Sequence, residues 1–205
     1  VNEGRPGTMM PGFKTAFTAA QINQLARYIG SLQVERSIWA DLKGNPKAGE
    51  EVFSNPEHSH SCQQCHSLKG KGGKVGPELS AKLAGKTPRD IFQKIVVVPH
   101  RAADPAYPTV ALTTTSGEKV VGIRANRDPE QIEFYDTSSL PPTFRTFSKA
   151  DVQSITRINT SAMPADYASR LSLQQLLDLV AYLKTNADGV AVTPTLEDVV
   201  KPAGN

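Results

Sequence analysis

The chain has 205 residues and two cysteines, and both fall in one short run, Cys62-Gln63-Gln64-Cys65-His66. Any fold for this chain must therefore present two sulfurs and an imidazole from a single turn. Two cysteines are too few for a disulfide scaffold or an all-cysteine metal site. The length suits one large domain, or one domain plus part of another. No fully apolar run, Ile95 to Val98 among them, approaches the roughly 18 residues of a membrane-spanning helix. Charge is nearly balanced, 23 Lys and Arg against 20 Asp and Glu, which argues against a nucleic-acid partner. One stretch is locally basic: residues 69–94 hold Lys69, Lys71, Lys74, Lys82, Lys86, Arg89 and Lys94 against Glu78 and Asp90. The N-terminal Val1-Asn2-Glu3-Gly4 lacks a signal-peptide pattern. The expectation is that a leader was removed or that the chain continues upstream.

Apolar periodicity divides the chain. Thr18-Ala19-Ala20-Gln21 is a capping box, and Ile22, Leu25, Ala26, Ile29 and Leu32 follow at helical spacing, predicting a helix over 19–32. Asn45 before Pro46 predicts a second helix through about Phe53. Residues 54–86 read as loop. Thr87-Pro88-Arg89-Asp90 opens a third helix, which must end near Pro99. From Pro108 the period changes to strands: a hairpin of 110–115 and 119–123, then 132–135, 144–147 and 154–158. Ser172-Leu173-Gln174-Gln175 is a second capping box, and Leu176, Leu177, Leu179, Val180 and Leu183 form an apolar face behind it. The tail from Ala187 is expected to be extended.

An internal repeat bears on domain count. Met10-Pro11 precedes Thr18-x-x-Gln21-Ile22-x-x-Leu25-x-x-Tyr28-Ile29. Met163-Pro164 precedes Ser172-x-x-Gln175-Leu176-x-x-Leu179-x-x-Tyr182-Leu183. Residues 1–33 are thus expected to be the closing half of a second domain without its own cysteine motif. Their apolar face needs a partner surface, and self-association through 1–33 would supply one.

Cys-x-x-Cys-His is the attachment sequence of haem c. Two intervening residues let one turn offer both sulfurs to the haem vinyl groups, and the adjacent histidine lies beneath the iron. Three rivals use the same residues. A redox dithiol would need a flanking strand and helix, whereas Pro56-Glu57-His58-Ser59-His60 and a glycine-rich stretch flank the motif. A structural disulfide is the second. Zinc is the third, with His58, His60, Cys62, Cys65 and His66 as donors. The sixth iron position calls for a soft or imidazole ligand downstream. Met163 is the preferred residue, because Pro164 stiffens its loop and a capped helix follows. Met9, Met10 and His100 are the other donors.

Taken in order, Gly49-Glu50-Glu51-Val52-Phe53, Cys62-x-x-Cys65-His66, Gly76-Pro77-Glu78-Leu79, Met163-Pro164 and Leu179-Val180-Ala181-Tyr182-Leu183 resemble a class I cytochrome c. The resemblance implies that Pro77 offers its carbonyl to His66, orienting the ring. It implies a mainly α cytochrome c fold with a small antiparallel β insertion between the haem motif and Met163, α+β overall. Ninety-six residues separate His66 from Met163, more than a minimal member needs. With Tyr107, Ser116-Gly117, Gly122 and Ser161-Ala162-Met163-Pro164, this insertion resembles those of haem-binding domains often fused to bacterial β-propeller, sugar-dehydrogenase-like proteins.

The expected organisation is a half-domain at 1–33, a haem-binding domain at 34–187 with its insertion at about 108–158, and a tail at 188–205. The expected function is electron transfer through one covalent haem c, ligated by His66 and Met163. The partner would be a dehydrogenase or another cytochrome, and the location periplasmic or otherwise extracytoplasmic. The basic stretch would steer an acidic partner to the haem edge. A non-catalytic carrier is expected. The alternatives are a part of a larger haem enzyme such as a peroxidase, and a gas sensor.

Overall fold

A computed structural model describes residues 17–31, 41–55, 61–96, 104–125 and 128–200. The chain divides into two compact units, Val1–Asp41 and Leu42–Asn205. In the first, α1 (Ala19–Ser31) begins at the expected capping box. Thr18 Oγ1 accepts from the Gln21 N–H at 3.3 Å, and Gln21 Oε1 accepts from the Thr18 N–H at 2.9 Å. Met9, Met10 and Pro11 of the half-repeat lie outside the described residues.

In the second unit, α2 (Pro46–Ser54) starts where Asn45 caps it, its side chain accepting from the Lys47 and Ala48 N–H groups. Segment 54–86 is more structured than loop. It carries a 3₁₀ turn (Cys62–Gln64), a two-stranded hairpin of β1 (Ser67–Leu68) and β2 (Lys71–Gly72), and α3 (Leu79–Leu83). The third predicted helix is α4 (Pro88–Val96). After the strands come α5 (Tyr167–Arg170), α6 (Leu173–Asp188) and α7 (Leu196–Val200).

The long helix α6 organises the helical part, burying Leu176, Leu177, Leu179, Val180 and Leu183 against Phe53, Leu68, Leu83, Ile91 and Ile95. Its capping box, Ser172 with Gln175, forms in full, and Gly189 ends it in the left-handed conformation. Helix α2 crosses α6 at Gly49, where an added Cβ would stand 1.9 Å from the Asp178 carbonyl oxygen. Only glycine permits this approach. Asp178, buried at the same crossing, accepts from the Asn45 N–H and from Gln174 Nε2, each at 2.7 Å. The terminal segment, expected to be extended, instead carries α7. Val199 is buried in the helical core, and the Gly44 N–H donates to the Pro194 carbonyl at 2.8 Å.

The expectation of a mainly α fold with a small β insertion is corrected by the sheet. Strands β3 (Thr109–Thr114), β4 (Lys119–Arg124), β5 (Gln131–Asp136), β6 (Thr143–Ser148) and β7 (Val152–Arg157) form one antiparallel sheet in the order β6-β5-β4-β3-β7. It has its own hydrophobic core of Val110, Leu112, Val120, Ile132, Phe134 and Phe147. The unit is therefore α+β, with two cores of comparable standing, one helical and one of sheet.

The connection between β6 and β7 forces the sheet to curl. Those strands occupy opposite edges, which in a flat sheet would lie about 19 Å apart. Only Lys149–Asp151 joins them, and four Cα steps span at most about 14 Å. Curling puts the alternate residues of one face inside, as the core shows. The Thr115 N–H donates to the Asp151 carbonyl at 2.9 Å, and Arg145 of β6 grips Glu118 of the β3–β4 turn at 2.7 and 3.0 Å. Ile123 breaks the alternation. It lies on the face opposite the sheet core, yet is only 5% exposed. That residue faces the cavity described next.

Candidate functional site

The cysteine motif is a tight turn built from the end of α2. Ser61 Oγ donates to the Phe53 carbonyl at 2.8 Å. The N–H groups of Cys65 and His66 both reach the Cys62 carbonyl, at 3.2 and 2.9 Å. The glycine-rich stretch then folds back over the turn. The Gly73 N–H donates to the Gln63 carbonyl and the Gly76 N–H to the Cys65 carbonyl, both at 2.8 Å. At Gly76 an added Cβ would stand 2.5 Å from His66 Cε1, 2.8 Å from Nδ1 and 3.1 Å from Nε2. The imidazole thus lies directly on the Gly76 backbone.

His66 Nδ1 lies 2.9 Å from the Pro77 carbonyl oxygen, a group that can only accept. Nδ1 therefore carries the proton and Nε2 keeps its lone pair. Burial holds the His66 pKa below the ordinary histidine value, opposed in part by the Pro77 bond. Burial favours the neutral imidazole and the Pro77 bond orients it, as a metal ligand requires.

Cys62, Cys65, His66, Pro77 and Met163 all line one cavity. It encloses about 1310 Å³ of empty space, the open solvent at its mouth included. The helical part contributes Phe53, Leu79, Leu83, Ile91, Ile95, Leu179 and Leu183 to its wall. The sheet contributes Ile123, with Thr137 and Leu140 from the β5–β6 loop, and Asp104 and Tyr107 precede β3. Tyr167 of α5 completes the apolar surround. Met163 is held in its loop by its own N–H, which donates to Ser161 Oγ at 3.1 Å. Residues 97 positions apart in the chain, His66 and Met163, are thereby brought to one space.

Both cysteines are free thiols. Burial pushes the Cys62 thiol up to about 12 and the Cys65 thiol up to about 11. This burial disfavours the exposed thiolate that a reactive dithiol needs. Among the described residues, no three His, Cys, Asp or Glu side chains converge as a metal site would need. His58, His60 and His100 lie outside the described residues. The lining includes one imidazole and one thioether, donor types that the iron of a macrocycle takes. The apolar wall and the Gly76 cradle fit a flat, largely apolar cofactor.

No family model matches the chain, and a search of curated proteins finds no match. Among the described residues, no helix is long and apolar enough to cross a membrane. Several cavity residues escape sequence reasoning. Lys82 and Asp104 form an ion pair of 2.6 Å at the cavity, and neither stands in a motif. Ile123 is legible only as a break in strand alternation.

Proposed function

We propose that this chain is an electron-transfer module carrying one covalently attached haem c. Cys62 and Cys65 would hold it by thioether bonds, with His66 as proximal and Met163 as distal ligand. One observation carries the reading: Met163, remote in sequence, lines the same cavity as Cys62, Cys65 and His66. When bound, the haem supplies one-electron chemistry by alternating between ferric and ferrous iron. His66 is oriented by the Pro77 carbonyl, so its Nε2 needs little reorganisation. Met163 fills the sixth position, leaving no open site for substrate, so the chain acts as a carrier rather than a catalyst. The apolar wall disfavours added positive charge and raises the potential, as does thioether ligation.

The resemblance to class I cytochromes c in the motif residues supports the same reading. Since haem c is attached outside the cytoplasm, the chain would work in the periplasm or an equivalent compartment. Its partner would be a dehydrogenase or another cytochrome.

The test is the intact chain made in a host competent for haem c attachment. The mass should rise by one haem, and the oxidised protein should show the weak near-infrared sulfur-to-iron band. Met163→Ala should abolish that band and open the ferrous iron to carbon monoxide, which wild type resists. No covalent haem would sink the proposal. A wild type that binds carbon monoxide readily would favour the sensor or peroxidase alternative.

A further inference from the structure

The wall of the cavity carries lysine and carboxylate charge at one place. Among the described residues that line it, Lys82 and Lys94 are the only cationic side chains and Asp104 the only carboxylate. They come from three separate parts of the chain. Lys82 lies on α3, Lys94 on α4, and Asp104 on the segment that leads into the sheet. Lys82 Nζ donates to Asp104 Oδ2 at 2.6 Å, while Asp104 Oδ1 accepts from the Ala106 N–H at 3.0 Å. The field of Lys94 reaches the same carboxylate. With side-chain exposures of 48% and 31%, the Lys82–Asp104 pair sits at the open side rather than at depth.

The chemistry of haem matches this asymmetry. Its two vinyl groups, which the cysteines take, lie on one edge of the macrocycle, and its two carboxylates lie on the opposite edge. Fixing the vinyl edge at Cys62 and Cys65 sends the carboxylate edge away from the motif, and a low-dielectric wall cannot hold it without cations. An ammonium has three donors, and Asp104 engages one of those of Lys82, leaving two.

Resting on the haem reading above, we propose that Lys82 and Lys94 receive the haem carboxylates, and that Asp104 pins Lys82 at the mouth. The sheet then has a stated part in the site. Ile123, Thr137 and Leu140 wall the cavity, and the segment leading into the sheet supplies the counter-ion that sets the position of Lys82. Asp104 is a positioning residue, not a contact to the cofactor.

The sign of each charge separates this role from a merely structural clasp. Removing a cation near the iron favours the ferric state. Removing Asp104 takes away an anion and favours the ferrous state. A clasp whose loss only admits water would move the potential in one direction whichever partner is removed. The experiment is spectroelectrochemical titration of haem-loaded full-length wild type, Lys82→Met, Lys94→Met, Lys82→Arg and Asp104→Asn. A unit charge roughly 10 Å from the iron at an effective dielectric near 20 changes the ferrous-to-ferric ratio at fixed poise by about tenfold, or 59 mV. Exposure trims this toward about threefold, and added salt shrinks it further.

Expected are a fall for Lys82→Met and for Lys94→Met, little change for Lys82→Arg, and a rise for Asp104→Asn. Shifts of the same sign for Lys82→Met and Asp104→Asn, or changes below about twofold at both lysines, overturn the proposal. Lys94 is outside the ion pair, so its variant decides the matter if Lys82→Met fails to load. A wild type without covalent haem would refute the haem reading itself, a different result from any of these.

Discussion

Gly76→Ala should disable the site by moving one ring. The Gly76 φ is not positive, so the new side chain meets no backbone strain and its cost is steric. Its Cβ would stand 2.5 Å from His66 Cε1, whereas ordinary contact begins near 3.4 Å. The imidazole must therefore swing by roughly 1 Å, a displacement typical of an overpacked site costing about 1–3 kcal/mol. The swing also breaks the 2.9 Å bond from Nδ1 to the Pro77 carbonyl. Pro77 follows Gly76 directly, so the carbonyl cannot travel with the ring. That adds about 1 kcal/mol. The total, about 2–4 kcal/mol, is a large part of an ordinary domain's stability. Urea unfolding of the haem-free chain should show the loss as a lower midpoint at unchanged slope. Nitrogen NMR of His66 should show the Nδ1–H tautomer in wild type and a mixture in the variant. In the loaded protein the potential should rise, because an imidazole without its Nδ1–H bond to a carbonyl is a weaker donor to ferric iron. A variant with wild-type stability and an unmixed Nδ1–H tautomer would refute the view that the Gly76 backbone seats the imidazole.

Two further outcomes test the scaffold. Gly49→Ala places a Cβ 1.9 Å from the Asp178 carbonyl oxygen and must part α2 from α6. It should cost at least about 3 kcal/mol by thermal or urea unfolding, and a neutral result would mean that the helices do not cross there. Glu78→Gln removes the charge that caps α3. Glu78 accepts from the Ala81 and Lys69 N–H groups, and these bonds hold its pKa below 4.5. Because the folded pKa is depressed, the stabilisation is present above about pH 4.5 and lost as pH falls through the lower folded value. The residue is largely solvated, so the variant should lose roughly 0.5 kcal/mol at pH 7 and progressively less as pH falls through the folded value, read as the difference in urea midpoints.

The signals that proved legible are local. Capping boxes at Thr18 and Ser172 and the Asn45-Pro46 start each join groups within three or four residues, and the structure forms all three. The same signal was present at Thr195 and went unread. Thr195 Oγ1 donates to Asp198 Oδ2 at 2.8 Å, repeating the pairing of Thr87 with Asp90, and α7 follows it. Segment 54–86 read as loop because two-residue strands and a five-residue helix are too short to show a period. The five strands were legible one by one. Their weight was not, because a sheet that builds its own core cannot be told from a small insertion until the β6–β7 connection forces it to curl.

By itself, the sequence determined the chemistry at one end of the cavity. Cys62, Cys65 and His66 fall within five consecutive residues, and no fold can carry them far apart. Only the tertiary structure decided the other end. Bringing Met163 to the same space, setting Pro77 against Nδ1, and joining Lys82 to Asp104 all depend on chain closure over long separations. Such closures cost entropy that only the packing of α6 and the sheet repays, and that packing is a property of both cores together.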